Sequence, residues 1–460
     1  MSSKHPSYPQ VPVQPWEPVD IRPLLPIYPP PEPLEYPDLP TPQRKPNLGA
    51  PFELTTHIIP ACYLRTGRFE PVPPPPPEGI SKEERSRHIQ RMKEELRFER
   101  GPLRTDGYPK VLWNCINRYS RKGLNPEQET GLTLFFAHAN GFPKEIWEPT
   151  IAKLLSLPSS NSIDEIWTWE SVQHGDPALI NRNSISKYFD WQDNTRDIVN
   201  FLTNFLPARS SARSLPLHLK RIPETESLHR RDHGFLNRRI MVVGHSYGGC
   251  TSTLAVENFP KLFSSLVLID PVMPKPFPTA EVARIAHEKT DALLTGSLAR
   301  RDVWSSREEA LASFLKNPFF QAWHIDVLKV YVEAGLYDST DSQGNPVVRL
   351  KMPGIYESII FAERTVGAEA YQGLATIPER IPIRWIMPGR EDADEFGAPG
   401  ATQERCWTRP ANSSNVKITG AGHLIAQEAP IDLAEDLDGF IQRTYPCLSP
   451  GSQIALRSSL

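Results

Sequence analysis

The stretch "RRIMVVGHSYGGCTSTLAVENFP", Arg238–Pro260, runs from two charges into an apolar strand and then sets three glycines around one serine. A strand that ends at Val243 and a helix that begins at Tyr247 leave only a few residues for the reversal. Gly244 and Gly248 let the backbone turn sharply where a side chain would collide with the neighbouring strand or helix. The spacing places Ser246 at the apex, with its hydroxyl at the carboxyl edge of a sheet. The next amide, Tyr247, stands at a helix start, where free N–H groups and the dipole favour negative charge. This is how a G-x-S-x-G turn between strand and helix presents a nucleophile. The alternative is a glycine-rich turn that only packs helix on strand.

A serine hydroxyl needs a base to attack at neutral pH. "VKITGAGHLIAQEAP" supplies His423 in a short Gly-Ala-Gly loop after the last apolar strand; of twelve histidines it has the required position. "IRWIMPGREDADEF" offers Asp392 as the acid that orients His423, with Asp394 two residues on. Asp270, which ends "LVLID" before Pro271, is a further alternative. Acyl transfer also needs two donors aimed at the developing oxyanion. The Tyr247 amide is one, and "LTLFFAHANGFPKEIW" supplies the Phe142 amide in a turn shaped by Gly141, with His138 expected to orient the loop.

Four elements, "HANGF", "GHSYG", "PGRED" and "GAGH", occur in the order of the α/β-hydrolase fold, and residues 109 to 445 resemble that superfamily. The resemblance implies a mostly parallel central sheet with helices on both faces. "HANGFPKEIWEP", the proline-rich start and the serine-leucine ending are similar to a fungal group of peroxisomal lipase and toxin-biosynthesis hydrolases.

Proline organises the rest: residues 1–77 hold 23 of the 49 prolines, which forbids a packed helix or central strand through most of that length. Residues 1–80 therefore read as an extended leader, draped or free, with a first strand within Phe52–Leu64. Residues 81–108 read as a charged surface helix, opened by a Ser81–Glu84 capping box, and a linker. Short apolar strands alternate with helices over 109–270 and again over 380–445, as a parallel sheet covered on both faces requires. Between them, 271–379 reads as a helical cap inserted before the penultimate core strand; 446–460 is a tail. The segment 207–239 reads as a charged surface loop.

Net charge is −3 and no basic stripe is interleaved with aromatics, which argues against a nucleic-acid partner. No apolar run approaches the roughly 18 residues of a spanning helix. Five scattered cysteines fit a reducing interior, so the chain reads as soluble and intracellular. Ser458, Ser459 and Leu460 partly match a Ser-Lys-Leu address; two readings stand, a signal for the peroxisomal import receptor or a plain tail on a cytoplasmic protein.

These residues predict a serine hydrolase for an ester or thioester with an apolar acyl part, with no metal or organic cofactor. Aromatics of the cap, Trp304, Phe319, Phe320 and Trp323, are candidate pocket residues, or the cap's own core. An acyltransferase would use the same residues, and a non-catalytic protein binding through its proline-rich leader is the rival from another class.

Overall fold

The computed structural model describes residues 4–46, 48–77, 79–96, 107–124, 131–211, 214–276, 280–393, 395 and 398–448. Asp394 and the final tripeptide lie outside them.

Eight strands form the central sheet: β1 (Phe52–Pro60), β2 (Trp113–Arg121), β3 (Leu132–Ala137), β4 (Ile163–Glu170), β5 (Arg239–His245), β6 (Ser265–Ile269), β10 (Ile383–Pro388) and β11 (Ser413–Ile418). Their order is β1-β2-β4-β3-β5-β6-β10-β11. The β1–β2 and β2–β4 pairs are antiparallel and the rest parallel. Strands β3, β6 and β10 are buried at every residue, which is why they read as unbroken apolar runs rather than alternating ones. Helices cover both faces, as the α/β-hydrolase architecture requires.

Register decides where the chemistry collects. Ala137 lies beside Gly244, and His245 beside Ile269, which in turn lies beside Ile386. The residues that leave β3, β5 and β6 therefore emerge side by side at one edge of the sheet.

The segment between β6 and β10 is not wholly helical. Besides helices, including Ala280–Ala299, Ile325–Ala334 and Gly354–Ala362, it holds an antiparallel sheet of β7 (Val303–Trp304), β9 (Pro346–Leu350) and β8 (Leu336–Thr340). Likewise the expected loop at 207–239 contains a helix, Glu224–His233, with acidic residues in its first turn and basic ones in its last, which complements the helix dipole. The Ser81–Glu84 capping box is present, at 3.2 Å and 3.0 Å, and the helix Lys82–Glu95 buries Ile89 and Met92.

The leader is draped, not free. Arg22 joins Asp190, the N-cap of a core helix, to Glu369 on the helix Val366–Gly373. Its first described residues close an edge of the sheet: Lys417 N–H donates to the Pro6 carbonyl at 2.8 Å, and Tyr8 and Asn415 exchange two hydrogen bonds. At the opposite edge, Ile58 N–H donates to the Leu217 carbonyl at 2.7 Å. Both unpaired rims, which would otherwise invite another chain, are covered.

Candidate active site

Ser246 sits between β5 and the helix Tyr247–Asn258 with φ 55° and ψ −117°, a conformation that costs a non-glycine residue about 1–3 kcal/mol. The neighbouring glycines make it reachable by permitting close approach. A Cβ on Gly248 would lie 2.4 Å from the Ala137 carbonyl oxygen, and one on Gly244 would lie 2.6 Å from that of Gly248. Ser246 is laced to the chain leaving β6: its N–H donates to Ile269, and Val272 N–H donates back to its carbonyl. That lacing brings Asp270, at φ 32°, beside the serine.

His423 closes the set. Its Nε2 stands 2.9 Å from Ser246 Oγ and its Nδ1 2.7 Å from Asp270 Oδ2. A carboxylate only accepts, so Nδ1 carries the proton and Nε2 is left as the acceptor facing the serine. Asp270 is 2 % exposed and its other oxygen receives the Arg405 guanidinium at 3.3 Å. This arrangement corrects the expectation for Asp392. That carboxylate is 77 % exposed and pairs with Arg390, not with His423. Asp270 leaves β6 in the segment laced to Ser246, and its carboxylate turns to His423, whereas the Asp392 carboxylate turns outward to Arg390. The "PGRED" loop instead braces the histidine loop. Gly389 and Arg390 amides donate to the Ala421 carbonyl, and Arg390 holds Glu428, which accepts from Gly422 N–H at 2.7 Å.

His245, inside the quoted pentapeptide, was not singled out by its sequence; its only signal was a histidine in a buried strand. Its Nε2–H donates to the His423 carbonyl at 2.8 Å, and burial pushes its pKa down to about 3, so it supports the histidine loop as a neutral ring.

On the β3 side, His138 Nδ1–H donates to the Ala139 carbonyl at 2.8 Å while Nε2 accepts from Ser171 N–H. Burial lowers its pKa to about 4, so the ring is a fixed neutral strut for the loop. His174 Nε2–H donates to Asn140 Oδ1, and Asn140 Nδ2 donates to the Glu357 carbonyl. Gly141 has φ 93°, the left-handed region, and a side chain there would press on the Glu357 carboxylate. Tyr247 opens its helix, so its amide has no acceptor within the helix.

The cap aromatics divide. Trp323 meets Phe142 edge-on at 5.4 Å, and Phe320 stacks into the same cluster beside Trp323 and Phe314. Trp304 is buried against Phe314 within the insertion, and Phe319 is 53 % exposed. These side chains thus pack largely on one another. Among the described residues, no group of three or more His, Cys, Asp or Glu is arranged to hold a metal ion, and no helix is long and apolar enough to cross a membrane.

Residues 134–436 match the alpha/beta hydrolase family, and the chain belongs to it. The type I acyl-CoA thioesterase MpaH of Penicillium brevicompactum is 28% identical over 203 residues, 44% of this chain and 39% of that protein. Peroxisomal membrane protein LPX1 of Saccharomyces cerevisiae is 30% identical over 146 residues, 31% of this chain and 32% of that protein. The matches therefore span about two-fifths or less of the curated relatives' own length. The crystal structure of the Saccharomyces cerevisiae peroxisomal alpha-beta-hydrolase Lpx1 shares the fold, with a TM-score of 0.58 and 19% identity over 89% of this chain and 96% of that one.

Proposed function

We propose that the protein is a serine hydrolase that cleaves an ester or thioester with an apolar acyl part through an acyl-serine intermediate. The observation that carries the reading is the unbroken relay from Ser246 Oγ through His423 to Asp270, at 2.9 Å and 2.7 Å. Ser246 attacks the carbonyl carbon as His423 Nε2 takes its proton. Asp270, in place of Asp392, keeps the proton on Nδ1 and balances the imidazolium. The Tyr247 and Phe142 amides receive the oxyanion. The tetrahedral intermediate collapses as His423 returns the proton to the leaving oxygen or sulfur; water then repeats the sequence and frees the acid.

The likeness to type I acyl-CoA thioesterases favours a thioester, and the apolar cluster of Phe142, Trp323 and Phe320, packed against the loop that carries the Phe142 amide, favours an apolar acyl group. A peroxisomal location belongs to the same reading, from the peroxisomal relative and the partial Ser-Lys-Leu ending. A fluorescent fusion at the amino end should move from peroxisomes to cytosol when Leu460 is removed.

Labelling with a tagged fluorophosphonate tests the chemistry. The wild-type protein should label and Ser246→Ala should not. Labelling kept in the variant would mean another nucleophile, and none in either would favour a binding role.

A further inference from the structure

Beneath the loop that carries Phe142 lies a buried charge network with no counterpart in the relay above. Lys144, two residues after Phe142, is fully buried, and its backbone N–H donates to Glu170 Oε1 at 3.1 Å. Its ammonium donates to Glu170 Oε2 and Asp176 Oδ2, each at 2.7 Å, and pairs with Glu145 at 3.1 Å. Asp176 N–H returns to Glu170 at 3.2 Å. Gly175, at φ 42°, leaves room for this carboxylate: a Cβ there would sit 1.8 Å from Glu170 Oε1.

The network extends into the inserted segment. Lys351, the residue after β9, donates to Asp176 Oδ1 at 2.6 Å and to Thr41 Oγ1 at 3.0 Å, and Thr41 donates to the same Asp176 oxygen at 2.7 Å. Its backbone N–H is held by the Gly335 carbonyl at 2.9 Å. On the other side of Phe142, Asn140 is fastened to the Glu357 carbonyl of the inserted helix Gly354–Ala362. The Phe142 amide thus lies between two attachments to the segment that separates β6 from β10. The Phe142 ring also packs directly on the inserted segment, edge-on to Trp323 at 5.4 Å and to Tyr331 at 6.1 Å, so the two attachments flank a contact with the same segment.

Burying five ionisable groups is costly, and an apolar cluster of similar volume would often be as stable or more so. What such a network supplies is a single geometry, because its hydrogen bonds are satisfied in one arrangement only. We propose that Lys144 and Lys351 are positioning residues for the oxyanion hole: the chain Lys144–Asp176–Lys351 fixes the Phe142 amide to the inserted segment, so the hole is complete only while that segment is seated. The proposal rests on the serine-hydrolase reading.

The test is Lys351→Met, with kcat and KM on a p-nitrophenyl ester and inhibition by an acyl trifluoromethyl ketone, whose hemiketal oxyanion needs the same donors. Losing an oxyanion donor outright costs about 10²–10³-fold in kcat, and misplacing it costs less. Lys351→Met should lower kcat about 10- to 100-fold with KM within about threefold. The ketone's affinity should weaken by the same factor as kcat/KM, since a transition-state mimic follows the transition state. Lys351→Arg should restore most of the loss. Thr41→Val, a near-isosteric change in the leader, should move kcat and ketone affinity in the same direction by a smaller factor, and it stands in if Lys351→Met does not fold. Turnover and ketone affinity within twofold of wild type, with only a lowered Tm, would overturn the proposal and leave the network a purely structural one. If Ser246→Ala keeps full turnover, the hydrolase reading itself fails, whatever Lys351→Met does.

Discussion

Replacing Asp270 by asparagine separates the observed site from the one its sequence favours. The amide keeps the volume of the carboxylate and, in one of its two orientations, an oxygen for the Arg405 guanidinium, which is 1 % exposed and would be left unpaired by alanine at a cost of about 3–5 kcal/mol. Towards His423 the change is severe. Nδ1 now meets either the amide NH₂, a donor, or an oxygen with no charge. In the first case the ring must move its proton to Nε2, which then points a donor at Ser246 Oγ, and the base is lost. In the second the imidazolium loses the charge 2.7 Å away that balanced it. An amide at this position of a serine-protease triad lowers kcat by about 10⁴. At 1.36 kcal/mol per decade that is about 5 kcal/mol of transition-state stabilisation. Asp270→Asn should therefore lose about 10⁴ in kcat on a p-nitrophenyl ester, with KM little changed and a Tm near wild type. Asp392→Asn, acting on an exposed surface pair, should stay within about twofold. A loss above 100-fold in Asp392→Asn, together with near-normal Asp270→Asn, would refute the reasoning.

Gly248→Ala drives a methyl to within 2.4 Å of the Ala137 carbonyl oxygen, so it should cost about 3 kcal/mol or more, read as a lower denaturation midpoint together with slower fluorophosphonate labelling. Arg22→Met leaves Asp190 and Glu369 buried without their shared cation and should destabilise by about 3 kcal/mol in chemical denaturation. Burial lowers the pKa of His57 and His138 to about 4 and of His245 to about 3. Below the unfolded value of 6.5 the unfolded chain binds protons that the folded one refuses, so stability is full above pH 6.5 and is lost as pH falls towards 4. Each ring contributes up to about 1.4 kcal/mol per pH unit in that window. His57→Gln removes one such ring, so its stability relative to wild type should rise as pH falls from 6.5 to 4.5; a difference that stays constant over that window would contradict the buried neutral assignment.

What was legible follows from what is local. The bounds of β3 and of the helix Tyr247–Asn258 stand as their sequences imply, because a solid apolar run and a glycine turn are signals carried by adjacent residues. Ser246 and His423 are legible for the same reason. The pairing of His423 with Asp270 is not, since both Asp270 and Asp392 follow strands with suitable spacing and only the folded chain's hydrogen bonds show which carboxylate turns to the histidine. The helix Glu224–His233 lacks an apolar stripe and is held by its charges, so hydrophobic periodicity missed it. Strand β7 has two residues, too few to show any period amid helices. The Lys144 network joins residues from Thr41 to Lys351, and nothing in the immediate neighbourhood of any one of them announces the others.

The closed rim of the sheet also bears on the timing of folding. Tyr8 meets Asn415, and Lys4 meets Asp432, across separations of 407 and 428 residues. A ribosome delivers residues 4–8 well before β11, so they wait through the synthesis of some 407 residues for the strand they cover. At about 5–20 residues per second, that interval is roughly 20–80 s. During it residues 4–8 have no strand to cover, although Arg22 and Thr41 can already take up their partners Asp190, Glu369 and Asp176. The seam they form is therefore a late event, and a chain cut short before β11 would leave residues 4–8 uncovered on a sheet ending at β10, distinguishable from the intact molecule by protease at residues 4–8.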